Sequence, residues 1–215
     1  MSQRFARRTS LLFVALVGVV ALATPASADV IFSNFGPADS YLNVEYPASG
    51  PSSFVGRLDW AGTFNTGAGS YDNIVFEGEF DYVEGVNSLT LELRQDDGSG
   101  KPGTVLETSG VFNPGSPSLV TWTLVNTALT LNANTNYWFS ARVAGDGFIS
   151  WFQNNQSDTG VAFSSNGSTW TTQANNLAPV FRVLGQAAVP EPGTLTLLGA
   201  MVVVGGLRLR RARHS

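Results

Sequence analysis

Apolar and polar side chains alternate residue by residue along much of the chain, the two-residue period of a strand with one buried face. Ile74, Phe76 and Phe80 share a face with Gly78, opposite Glu77, Glu79 and Asp81. Within Val86–Gln95, the pattern predicts Val86, Leu89, Leu91 and Leu93 inward and Thr90, Glu92 and Arg94 toward water, with a slip of phase near Asn87. Val120, Trp122 and Leu124 alternate with Thr121 and Thr123; Tyr137, Phe139, Ala141 and Val143 alternate with Trp138, Ser140 and Arg142. Trp138 is out of phase with its neighbours and is predicted to face solvent or the other sheet. Turn chemistry separates the runs at Asp96-Asp97-Gly98-Ser99-Gly100, Asn113-Pro114-Gly115, Gly145-Asp146-Gly147 and Asn166-Gly167. No segment between Asp29 and Pro190 carries a 3.6-residue apolar stripe. Many short strands punctuated by Gly, Pro and Asn predict an all-β fold, a jelly-roll-like β-sandwich.

The two ends break this pattern. Arg4, Arg7 and Arg8 precede a 13-residue apolar run, Leu11–Ala23, and Ala26-Ser27-Ala28 follows as a small-residue cleavage motif. Residues 1–28 therefore read as a signal peptide, cut by signal peptidase after Ala28; the short run and Pro25 weigh against a retained membrane helix. At the other end, Val189-Pro190-Glu191-Pro192 precedes an apolar stretch, Thr194–Leu207, and then Arg208, Arg210, Arg211 and Arg213. Pro190 and Pro192 fix φ and lack N–H groups, which keeps the motif extended and open to a processing enzyme. The 14 residues of Thr194–Leu207 fall short of the ~20 of a spanning helix. Extension to Pro192 and snorkelling of Arg208 narrow that gap. The four arginines are a membrane stop, and cationic flanks at both ends place the intervening chain outside the cytoplasm.

Over residues 189–213, these three parts in this order resemble the PEP-CTERM sorting signal of Gram-negative bacteria. The resemblance implies a C-terminal transmembrane helix held transiently in the inner membrane. It also implies cleavage by an exosortase at the Pro-Glu-Pro motif, with delivery to the cell surface or extracellular matrix. The chain thus divides into a signal peptide (1–28), an extracellular β-sandwich domain (29–187) and a sorting segment (188–215).

Charge changes the picture of the body. Seven of the 12 basic residues lie in the two ends, against one of the 16 acidic ones, so residues 29–187 keep five basic and 15 acidic side chains, a net charge of −10. That argues against nucleic acid as a partner. Cysteine is absent, so the fold must stand on its apolar core, which 159 residues can supply. The single histidine is His214, in the tail. A Ser-His-Asp or Cys-His relay cannot be built in the body, and His-ligated zinc is not expected. No cofactor is implied.

Three candidate chemistries remain. Glu77, Glu79 and Asp81 project from one strand face about 7 Å apart, a spacing that suits a glycosidase carboxylate pair but also an ordinary solvated strand face. Asp96 and Asp97 offer oxygen ligands for calcium on a flexible loop, without the EF-hand spacing; a plain hairpin loop is the simpler reading. The stretch Trp151–Asp158 carries a ring beside Asn154 and Asn155, and Trp170 offers a second ring, which together could stack and hydrogen-bond a sugar. Against this, large aromatics in a sandwich usually belong to the core. Asn155-Gln156-Ser157 and Asn166-Gly167-Ser168 match the N-glycosylation pattern and read as loop residues.

The middle of the chain has a second likeness. Trp60-Ala61-Gly62-Thr63-Phe64, a strand near Asp72–Phe80, Leu89–Arg94 with the loop Asp96–Gly103, Val105-Leu106 and Tyr137-Trp138-Phe139 follow in an order that resembles the choice-of-anchor R domain over residues 50–186. This implies an extracellular β-sandwich module without defined biochemical activity. The expectation is a non-enzymatic protein of the envelope or exopolysaccharide matrix. The alternative is a carbohydrate-binding module acting on extracellular polysaccharide, with a carboxylate-pair glycosidase behind it.

Overall fold

Strand-period alternation is realised in twelve strands, seen in a computed structural model that describes residues 28–188. They are β1 (Asp29–Ser33), β2 (Leu42–Ser49), β3 (Asp59–Asn65), β4 (Tyr71–Glu84), β5 (Leu89–Asp96), β6 (Pro102–Phe112), β7 (Ser118–Thr123), β8 (Asn136–Val143), β9 (Phe148–Gln153), β10 (Thr159–Ser164), β11 (Thr171–Leu177) and β12 (Phe181–Ala187). A single 3-10 turn, Pro37–Asp39, lies between β1 and β2. The cleavage residue Ala26 and the sorting residues Val189–Pro192 with Arg208, Arg210, Arg211 and Arg213 lie outside the described residues; Ala28 is the exposed residue before β1. Among the described residues no helix is long and apolar enough to cross a membrane.

Two antiparallel six-stranded sheets form a sandwich-like all-β body. Sheet A runs β1-β12-β4-β9-β2 with β7 on the other edge of β4, and sheet B runs β11-β10-β3-β8-β5-β6. The long β4 organises sheet A, pairing with β12 over residues 71–78, β7 over 75–80 and β9 over 80–84. Alternation aims Ile74, Phe76, Phe80, Trp151 and Phe181 of sheet A at Phe64, Leu91, Leu93 and Phe139 of sheet B, all buried in one cluster. The Phe76 and Phe139 rings meet across the gap at 4.4 Å, a tilted contact that adds to area burial. Gly62 makes room there: a Cβ on it would come within 2.6 Å of the Phe181 ring.

Trp151 belongs to this core, with no exposed surface. Its indole N–H donates to Val180 O at 2.9 Å. Asn154, equally buried, donates to Ala178 O at 2.7 Å and Asp158 O at 2.8 Å. Asn34 donates to Pro179 O at 2.8 Å and accepts from Phe181 N at 2.7 Å. These three side chains add to the backbone bonds that Phe152, Asn154 and Asn34 make to Ala178–Phe181, so the buried carbonyls and amides of the chain entering β12 have partners. The predicted sugar-stacking role of Trp151 and Asn154 is therefore corrected: both are internal pegs, closed to ligand.

Two further expectations are revised in the β4–β5 region. Val86 does not face inward; it sits in the turn before β5 and is about half exposed. Glu92 and Arg94 do point away from the core, yet both are buried, because Trp170 packs against Arg94 and the guanidiniums of Arg94 and Arg142 enclose Glu92.

Candidate functional site

That covered face is the most chemically unusual part of the described residues. Strand register places Thr90 opposite Arg142, Glu92 opposite Ser140 and Arg94 opposite Trp138. On the other side of β8, Ala61 faces Ser140 and Thr63 faces Trp138, while β10 sets Ala162 beside Ala61. The small side chains of Ala61 and Ala162 leave a depression into which Trp170 folds, packing with Trp138. The Trp170 ring lies 5.3 Å from the Arg94 guanidinium carbon, a cation–π contact. Trp138 is thereby buried without facing either solvent or the other sheet, and its N–H donates to Asp96 Oδ2 at 2.9 Å.

From Arg94, beside Trp170, runs a network of five charges. Arg94 donates to Glu92 Oε2 through Nε at 3.0 Å and Nη2 at 2.5 Å, and to Gly103 O at 2.9 Å. Arg142 Nη1 reaches Glu92 Oε1 at 2.5 Å, and its Nε lies 3.5 Å from Asp59 Oδ2. Arg57 clamps the same Asp59 oxygen through Nε at 3.0 Å and Nη2 at 2.8 Å. Burial opposes the charge on Glu92, but hydrogen bonds and charge from Arg142 and Arg94 outweigh it and hold the carboxyl below its ordinary range. Asp59 goes the other way. Full burial pushes it up, and Arg57 and Arg142 offset that only in part; its Oδ1 has no hydrogen-bond partner among the described residues.

At the exposed margin of this network lies a shallow cavity of about 410 Å³. It is bounded by Arg57, Thr90, Glu92, Thr108 and Arg142, with Pro51 and the chain at 143–145 as its wall. Oppositely charged groups and hydroxyls line it, so it can bind a polar ligand by charge and hydrogen bonding. Asp59 is set behind the two guanidiniums and fixes them in place.

The residues singled out from the sequence do not assemble into one site. Trp151 lies between the sheets, whereas Trp170 lies beyond the outer face of sheet B, so the two rings cannot form a common sugar platform. Trp170 itself is buried. Asn155 remains near the surface and donates to Ser40 Oγ at 3.0 Å. Glu77 is paired with Arg182 at 2.5 Å, and Arg182 also reaches Asp39 at 3.1 Å. Glu79 is raised by partial burial, offset by a hydrogen bond from Tyr41 at 3.4 Å, and Asp81 accepts from Ser116. These carboxylates sit on the outer face of sheet A, away from the cavity.

Asp97 and one oxygen of Asp96 are spent on their own loop, the other Asp96 oxygen on Trp138. Asp96 Oδ1 accepts from Gly98 and Gly100 N–H, while Asp97 Oδ1 accepts from Ser99 and Lys101. The Ser99 hydroxyl and amide hold Asp97 below its ordinary pKa. Among the described residues there is no group of three or more side chains able to hold a metal ion.

Arg57, Arg142, Thr90 and Thr108 were not singled out by sequence reasoning. A signal existed: three of the five basic residues of an acidic body, Arg57, Arg94 and Arg142, converge here. Scarce cations gathered at one place carry more information than their number. No family model matches the chain, and no curated protein matches it either.

Proposed function

We propose that this chain is a non-enzymatic, exported surface or matrix protein, released or attached after exosortase processing at Pro190-Glu191-Pro192. The observation that carries this reading is the agreement between the folded body and the expected processing boundaries. β1 opens at Asp29, directly after the Ala26-Ser27-Ala28 motif, and β12 closes at Ala187, just before Val189-Pro190. Asp29 pairs with Gly185, so both ends leave from the same end of the adjacent strands β1 and β12. Removing either flank therefore disturbs no strand. The repeated passage of the chain from one sheet to the other, β3 to β4 to β5 and β8 to β9 to β10, supports jelly-roll-type connectivity. The partners are signal peptidase, exosortase, the inner membrane in transit, and the exopolysaccharide matrix as the setting.

The test is replacement of Pro190, Glu191 and Pro192 by alanine in the producing bacterium, followed by fractionation. The expected result is an uncleaved chain retained in the inner membrane. Release at the normal size and rate overturns the reading.

A further inference from the structure

We propose that the cavity beside Arg57 and Arg142 is a binding site for a sugar acid, a polyhydroxylated monosaccharide unit carrying one carboxylate. This inference is independent of the sorting reading, because its test measures binding by the protein itself.

The wall of the site is built in advance of any ligand. Gly50 N donates to Gly147 O at 2.9 Å and Ser52 N to Gly145 O at 2.8 Å, which locks the β2–β3 loop onto the β8–β9 loop. The approach is so close that a Cβ on Gly50 would lie 2.3 Å from Gly145 O. Asp146 pins the second loop to Val86 N at 3.0 Å. A preformed wall reduces the ordering cost of binding.

Donors face the cavity in a fixed arrangement. Arg57 uses Nε and Nη2 on Asp59, and Arg142 uses Nε and Nη1 on Asp59 and Glu92. Arg57 and Arg142 line the cavity with side chains 23% and 30% exposed, and the nitrogens not bonded to Asp59 or Glu92, Arg57 Nη1 and Arg142 Nη2, are the donors that the proposed site offers its ligand. Guanidiniums held on one side by carboxylates present the other side at a set angle, the geometry that selects a carboxylate.

The remaining groups select what surrounds that carboxylate. The hydroxyls of Thr90 and Thr108 and the carboxylate of Glu92 line the same space and suit sugar hydroxyls, which both donate and accept. With Arg57, Arg94 and Arg142 against Asp59 and Glu92, the cluster carries one net positive charge, which matches a monoanion. A phosphate dianion brings one charge too many and sets it against Glu92. No aromatic ring lines the cavity, so a neutral sugar finds no stacking surface and lacks the charge contact as well.

The test is calorimetric titration of the full chain in mild detergent with sodium D-glucuronate, D-glucose and sodium sulfate, on wild type and two variants. The expected dissociation constant for glucuronate is about 1 mM, with glucose and sulfate about tenfold weaker or more. Thr108→Trp fills the cavity from an exposed position on edge strand β6 and removes no member of an ion pair. It is expected to abolish binding while leaving the thermal midpoint unchanged. Arg57→Ala is expected to weaken glucuronate about tenfold. Equal affinity for sulfate overturns the proposal in favour of a bare anion site, and equal affinity for glucose overturns the carboxylate contact. Undiminished binding by Thr108→Trp, or no binding by the wild type at about 50 mM, overturns the site itself.

Discussion

The outer faces of the two sheets carry similar sequence patterns and very different fates. On sheet A, Glu77, Glu79 and Asp81 alternate with core residues along β4 and stay half-buried or exposed, served by Arg182, Tyr41 and Ser116. On sheet B, Glu92 and Arg94 alternate with core residues along β5 in the same way, yet they are 3% and 6% exposed. The difference is one covering ring and a pair of guanidiniums. Trp170 settles over Ala61 and Ala162 against Arg94, and Arg94 and Arg142 together enclose the Glu92 carboxylate. Alternation decides which side of a sheet a residue leaves from. Whether that side is then covered depends on a segment about eighty residues away in the chain.

The energetic consequence is that identical chemical changes should cost different amounts on the two faces. The largest effect is expected from removing the cover. Trp170→Ala should destabilise by about 3–5 kcal/mol, the usual range for a buried Trp or Phe truncated to Ala, and should open the sheet B face to solvent. Urea unfolding checks the magnitude, and hydrogen exchange of the β5 and β8 amides checks the place. A loss below about 1 kcal/mol would show that the two faces are alike after all.

Next comes the charge network that starts at Arg94, beside Trp170. Glu92→Gln leaves Arg94 and Arg142 facing each other without their shared counter-ion, and the expected loss near pH 7 is about 3 kcal/mol. Its pH dependence sharpens the point. Glu92 is held below its ordinary value of 4.5, so its contribution is complete above that pH and disappears as pH falls through the folded value. Asp59, raised above 3.8 by burial, acts in the opposite sense: the cost of its buried charge is relieved on acidification. The stability gap between wild type and Glu92→Gln should therefore hold above pH 4.5 and shrink as pH falls below it. A gap that does not change with pH rules out the ion-pair account.

The smallest effect belongs to sheet A. Glu77→Gln removes the partner of Arg182, but water reaches both groups and Asp39 remains beside the guanidinium. The expected loss is about 1 kcal/mol or less, diminished further by salt. A cost equal to that of Glu92→Gln would dissolve the contrast between the faces.

The local code carried much of the architecture. The two-residue period placed Phe76, Phe80, Leu91, Leu93, Val120, Trp122 and Phe139 in the core, and each is buried. Asp and Gly marked the hairpin at Asp96–Gly100, where Oδ1 of each Asp closes on its own loop. These features are local, set by backbone sterics and by side chains a few residues apart, so a linear sequence expresses them. Tertiary structure decided the rest. Trp151 and Asn154 look like a ring and an amide poised for a ligand; they are buried because the chain at Ala178–Phe181 returns beside them and their N–H groups bond its carbonyls. Arg57, Glu92 and Arg142 are separated by up to 85 positions in the numbering, and only strand pairing brings them to the wall of one cavity. Side-chain chemistry and strand period are properties of a residue and its neighbours, whereas burial and charge pairing are properties of whatever the fold lays on top.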